Sequence, residues 1–149
     1  MSEHRVDVAW ERRGGPFEYE SFDRTHRWSF GGGPALEASS APEYQGRADL
    51  PNPEQALAVA LSSCHMLTFL SLAARRRIVV ESYRDEASAF LGKDGEGRLA
   101  VTRVVLRPRI AFAGEPPAPE ALARLHEQAH KYCFIANSVR TEVVVEPRD

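Results

Sequence analysis

Residues 52–77 read NPEQALAVALSSCHMLTFLSLAARRR. Asn52 has the chemistry of an N-cap, Pro53 suits the first helical position, and Glu54 places a carboxylate in the first turn, so a helix starts here. It is expected to run from Pro53 to about Arg77. Leu57, Leu61, Leu67, Leu70 and Leu72, padded by Ala and Ser, leave almost no polar face. Such a helix belongs in the middle of a molecule. Arg75-Arg76-Arg77 then complements the negative end of the helix dipole.

Upstream, Val6, Val8 and Trp10 alternate as in a half-buried strand from Arg5 to about Glu11, and Arg12-Arg13-Gly14-Gly15-Pro16 supplies a turn. Phe17 to Phe22 alternates again. Further strands are expected at Arg27–Phe30, ended by Gly31-Gly32-Gly33-Pro34, and around Ala35–Ser39, which makes the N-terminal third a β-meander. Pro42–Pro51 reads as a loop. Downstream, a strand region from Ile78 to about Phe90 and a returning strand Leu99–Phe112 flank the loop Gly92–Gly97, with Pro108 at a bulge or edge. A second helix is expected from Glu120 to about Asn137 and a last strand over Glu142–Glu146. The order is an α+β plan in one domain spanning 1–149, without repeats or a dividing linker.

The chain has 149 residues, 43% hydrophobic and 27% charged, enough for a core that needs no staple. A formal net charge of −2 gives no electrostatic case for nucleic acid. No signal peptide and no run of about 18 apolar residues for a membrane span is read from the sequence, so a cytoplasmic protein is expected. In that reducing compartment the two cysteines, Cys64 and Cys133, 69 positions apart, fit a transient redox pair or two free thiols better than a static disulfide. Each has polar neighbours, Ser62-Ser63-Cys64-His65 and His130-Lys131-Tyr132-Cys133, of the kind that separates a reactive thiol from an inert one.

His126-Glu127-Gln128-Ala129-His130 matches the H-E-x-x-H pattern of zinc proteases. A catalytic zinc needs a third protein ligand. The extended metzincin pattern asks for glycine and histidine where this chain has Cys133 and Ala136, and only 19 residues follow His130. The pattern is therefore read as two partly exposed helix histidines. His126, His130 and Cys133 nevertheless share one helical stripe, which would bring Cys133 and Cys64 together where that face meets the central helix. A metal site built from these residues is one alternative. Glu54 lies ten residues before Cys64, ~15 Å along an unbroken helix, so the two cannot touch within it.

Asn52-Pro53-Glu54-Gln55, then Ser62-Ser63-Cys64-His65, then Cys133-Phe134-Ile135-Ala136-Asn137-Ser138-Val139 before a final strand, resemble the OsmC/Ohr family (osmotically inducible protein C and organic hydroperoxide resistance protein). The resemblance covers the order of elements along nearly the whole chain. It implies an OsmC-like fold in an intertwined homodimer with two interface active sites, and a thiol-dependent peroxidase that reduces organic hydroperoxides. It implies Cys64 as the peroxidatic cysteine, Cys133 as the resolving one, and Glu54 as the carboxylate that pairs with an arginine beside the thiolate. Arg24 ranks first for that arginine, ahead of Arg27 and Arg47. No cofactor or metal is implied beyond an external dithiol reductant. His65, His126 and His130 depart from the better-studied branches and point to a less characterised one.

The expected chemistry is attack by Cys64 on a hydroperoxide to give a sulfenic acid, which Cys133 resolves as a disulfide. Leu61, Phe69, Tyr132 and Phe134 are candidate apolar lining that would favour organic peroxides over hydrogen peroxide. The rival class is a non-enzymatic dimer that binds a small apolar ligand and uses its cysteines for packing.

Overall fold

Asn52 and Gln55 close a reciprocal cap on the central helix. The Gln55 N–H donates to Asn52 Oδ1 at 2.9 Å, and the Asn52 N–H donates to Gln55 Oε1 at 3.0 Å. Two donors that a helix start leaves free are thereby satisfied. In the computed structural model, which describes residues 1–149, this helix is α1, Pro53–Arg75. It ends two residues before the expected boundary because Arg77 adopts a left-handed φ of 60°. The Ile78 N–H donates to the Ala73 carbonyl and the Arg77 N–H to that of Ala74, each at 3.0 Å. That is Schellman bonding with arginine where glycine is usual.

A left-handed conformation costs an ordinary residue about 1–2 kcal/mol. Arg77→Gly should therefore raise stability by about 1 kcal/mol, seen as a higher urea midpoint at unchanged slope. A lower midpoint would mean that the arginine side chain contributes more than its backbone costs.

The chain forms two units, Met1–Ala56 and Leu57–Asp149. In the first, β1 (Val6–Ala9), β2 (His26–Phe30) and β3 (Ala35–Ala38) form an antiparallel sheet in that order, with Val8 opposite Trp28 and Trp28 opposite Leu36. The expected meander is present with two corrections. Residues 17–22 form a turn rather than a strand, with the Ser21 and Phe22 N–H groups both donating to the Glu18 carbonyl. Their alternating apolar residues serve a different purpose: Phe17 and Phe22 gather with Trp10, ring centroids 5.4–6.1 Å apart. β1 is also not half-buried, because it is an edge strand with Val6 and Val8 both exposed.

The 3₁₀ turn Pro42–Tyr44 interrupts the expected loop, and behind it Gly46 packs on the Ser40 backbone. A Cβ on Gly46 would lie 1.6 Å from the Ser40 carbonyl oxygen, so only glycine fits.

In the second unit the expected hairpin is split into two. β4 (Val80–Asp85) pairs with β7 (Pro108–Phe112), while β5 (Ser88–Lys93) pairs with β6 (Leu99–Leu106), and β8 (Glu142–Val145) joins β6 in parallel. Asp85 stands at the break. Its carboxylate accepts the Arg107 N–H at 2.6 Å and the Ser62 hydroxyl at 2.5 Å, which ties the junction to α1. Pro108 opens β7 opposite Asp85, where its missing N–H costs no central ladder bond.

α2 (Pro119–Tyr132) is shorter than expected, since Cys133 is already extended at φ −71°, ψ 113°. Asn137 falls in a separate 3₁₀ turn, Ala136–Ser138.

α1 buries Ala58, Leu61, His65, Phe69 and Ala73, a single stripe at three- and four-residue spacing. Its first half packs with Val104 and Leu106 in one core cluster, and its second half packs with Leu125 and Ala129 in another. The helix is not enclosed all round, because Val59 is 66% and Leu67 58% exposed. A second correction concerns membrane crossing. α1 is long and apolar enough to cross a bilayer, with a mean hydropathy of 1.7 over its best window. The stripe that it buries in both clusters marks it as a core helix of this unit.

Candidate active site: two thiols and a buried histidine pair

Cys64 lies midway along α1, partly exposed, and Cys133 lies at the C-terminal cap of α2, 1% exposed. Both are free thiols, close enough for Cys64 to act on Cys133. The convergence expected from the α2 stripe is therefore present. The Cys133 sulfur also accepts the Ala136 N–H at 3.4 Å. Burial, and then the neighbouring Cys64 thiol, push the Cys133 thiol up to about 11. At neutral pH it stays protonated, as suits a thiol that waits for a partner and not one that attacks first.

Of the two α2 histidines expected to be partly exposed, His130 is, but His126 is only 5% exposed, and His65 on α1 is 1% exposed. His65 Nε2 and His126 Nδ1 are 3.1 Å apart, with the ring planes within 5° and the centroids 5.4 Å apart. The centroid separation exceeds the nitrogen separation by about two ring radii, so the rings meet edge to edge and one N–H points at the other's lone pair. Desolvation by burial, followed by repulsion from His126 and His130, lowers His65 to about 4. Burial lowers His126 to about 4 as well, against a smaller opposing pull from Asp85. Both rings are neutral at pH 7. Tyr83 on β4 is raised by burial and by Asp85. This network was missed in the sequence, because nothing in the pattern around residues 80–86 marks Asp85 or Tyr83.

A lone pair aimed at a ring N–H is not aimed at a shared ion, and no three His, Cys, Asp or Glu side chains group to hold a metal. The proposed four-residue apolar lining is not formed either. Leu61 and Phe69 are buried in different core clusters, while Tyr132 and Phe134 are exposed.

Arg24, in the first unit, has three of its five guanidinium N–H donors engaged. It donates to the Phe22 carbonyl and Gln45 Oε1, both at 2.6 Å, and to the Tyr19 carbonyl, and it lies 3.6 Å over the Phe22 ring. Arg47 is paired with exposed Asp49 at 2.6 Å. Glu54 sits in the first turn of α1, with Oε2 buried and without a hydrogen-bond partner. The unbroken α1 puts it ~15 Å along the helix from Cys64.

The OsmC-like protein family matches residues 46–148, a span that includes both thiols. The chain belongs to the OsmC-like family. Among solved structures, this OsmC-like chain is similar to an OsmC-like protein of unknown function from Vibrio cholerae, at 45% identity and a TM-score of 0.94, over 99% of this chain and 100% of that one. It shares the fold of an organic hydroperoxide resistance protein from Legionella pneumophila, at 19% identity and a TM-score of 0.68, over 99% and 96% of the two chains. It also shares the fold of an organic hydroperoxide resistance protein from Bacillus subtilis, at 19% identity and a TM-score of 0.68, over 99% and 98%. A comparison with curated proteins gives no match.

Proposed function

We propose that this OsmC-like chain is a thiol-dependent peroxidase that reduces organic hydroperoxides to alcohols. The observation that carries the reading is the closeness of the two free thiols, one partly exposed on a helix and the other buried, with Cys64 acting on the Cys133 pKa. Packing cysteines need no such pairing. The likeness in fold to organic hydroperoxide resistance proteins supports the same reaction class.

In the proposed reaction the Cys64 thiolate attacks the distal oxygen of ROOH and the O–O bond breaks. The departing RO⁻ takes up a proton as ROH, leaving Cys64 as a sulfenic acid. The Cys133 sulfur attacks the Cys64 sulfur, and the sulfenic oxygen leaves as water with the Cys133 proton. An external dithiol then opens the disulfide by exchange and is itself oxidised. No cofactor is required.

Arg24 is assigned as the cation beside the Cys64 thiolate and Glu54 as its carboxylate, on the strength of the family resemblance. The buried, unpartnered Glu54 Oε2 supports that role, since such an oxygen needs a donor. We place the active form in a homodimer. Val59, Ser63, Leu67 and Ser71 form an exposed stripe along α1 at four-residue steps, a face of the kind that a second copy covers. Free thiols of this kind suit a cytoplasmic setting.

The test is steady-state consumption of cumene hydroperoxide and hydrogen peroxide by the purified protein with a dithiol reductant. Turnover of both, faster with cumene hydroperoxide, is expected. Absence of turnover with either peroxide would leave the ligand-binding class as the better reading.

A further inference from the structure

Both tryptophans of the chain serve the backbone at Arg24, one directly and the other through a histidine. The Trp10 indole N–H donates to the Asp23 carbonyl at 2.6 Å. The Trp28 indole N–H donates to His26 Nε2 at 2.8 Å, and His26 Nδ1 stands 2.8 Å from the Arg24 carbonyl oxygen. The roles along this line are forced. An indole nitrogen only donates and a carbonyl oxygen only accepts, so the imidazole between them is neutral, bare at Nε2 and protonated at Nδ1.

His26 and Trp28 meet because they lie two residues apart on β2 and so share a face of the sheet. Trp28 sits on the middle strand, opposite Val8 on β1 and Leu36 on β3, which makes it a firm anchor. On the other flank, the Asp23 carboxylate accepts the N–H of buried Thr25 at 2.8 Å. The backbone from Asp23 to Thr25 is therefore held at three points. The Arg24 guanidinium that it carries reaches Tyr19, Phe22 and Gln45 with three N–H donors and keeps two for an anion.

We propose that His26 and Trp28 are positioning residues for Arg24, a clamp that fixes where its guanidinium presents those two donors. The inference rests on the reading of Arg24 as the cation beside the Cys64 thiolate. A cation favours a thiolate only at close range and in a fixed place, so an arginine whose backbone is free to shift holds it less well. His26 touches neither thiol nor substrate in this role; it acts through Arg24.

The test is the rate of iodoacetamide alkylation at pH 7, read from the Cys64 peptide, which follows the thiolate population whether or not the chain turns over peroxide. Arg24→Met should slow it about tenfold, the scale on which a neighbouring charge alters ionisation. His26→Phe removes both hydrogen bonds and should slow it by at least about threefold, a part of the same effect. Added to Arg24→Met, it should cause no further slowing, because no guanidinium is left to position. His26→Asn should restore the native rate, since its amide N–H stands where Nδ1–H does, and ¹⁵N NMR of the native chain should find Nδ1 protonated and Nε2 bare. A native rate in His26→Phe beside a slow Arg24→Met, equal slowing by His26→Phe in both backgrounds, or a proton on Nε2 would each overturn the clamp. Trp28→Phe takes the place of His26→Phe if the latter does not fold. A native rate in Arg24→Met overturns the arginine assignment and the clamp together, and leaves peroxide turnover to decide the peroxidase reading. If the expected alkylation pattern appears in a chain inert to hydroperoxide, the peroxidase reading falls and the clamp stands.

Discussion

Cys64→Ser is expected to lower kcat/KM for organic hydroperoxides by at least about 10³-fold, because it removes the nucleophile itself and not a group that assists it. A serine hydroxyl is not ionised at neutral pH and has no sulfur to accept the peroxide oxygen. The substitution is close in size at a partly exposed helical position, so the fold should survive and the loss should lie in the chemistry. Cys133→Ser differs in kind. The first oxygen transfer remains and no disulfide can follow, so one equivalent of peroxide should be consumed quickly and Cys64 should then be trapped as sulfenic acid. Turnover by Cys64→Ser equal to that of the native chain would exclude Cys64 as the nucleophile. Loss of the burst in Cys133→Ser would assign the first attack to Cys133.

The second large effect is acid sensitivity. His65 and His126 are held near 4 in the folded chain against an ordinary value of 6.5. Above pH 6.5 both rings are neutral whether folded or not, and they leave stability independent of pH. As pH falls from about 6.5 toward 4 the unfolded chain gains protons that the folded chain refuses, so stability declines through that window and levels off below it. The pair should account for a loss of a few kcal/mol, the scale expected when two buried neutral imidazoles must stay uncharged. Urea midpoints measured between pH 7 and pH 4 check this, and His126→Phe should flatten the decline. A midpoint independent of pH over that range would show that the rings accept protons in the folded state.

The parts legible in the sequence were those fixed by local chemistry. Asn52 and Pro53 mark the start of α1 because capping and proline geometry act within four residues, and Gly31-Gly32 mark the β2–β3 turn because positive φ favours glycine. The meeting of the two thiols was legible through the α2 stripe. What was hidden depends on partners distant in sequence. The break between β6 and β7 is made by Asp85, 22 residues away from Arg107. The burial of His126 depends on His65, 61 residues earlier, and no pattern local to H-E-x-x-H reveals that its first histidine faces a ring and not a metal. Phe17–Phe22 alternates like a strand, but its rings serve an aromatic cluster around Trp10. α1 stops at Arg75, two residues short of the approximate end expected, because a left-handed arginine leaves no mark in composition.

The most direct test of the central claim is peptide mass analysis of the native chain after one equivalent of cumene hydroperoxide without reductant. The expected product is a single disulfide linking the peptides that contain Cys64 and Cys133, formed with loss of both thiols and reversed by a dithiol. Recovery of both cysteines as free thiols after peroxide exposure would contradict it.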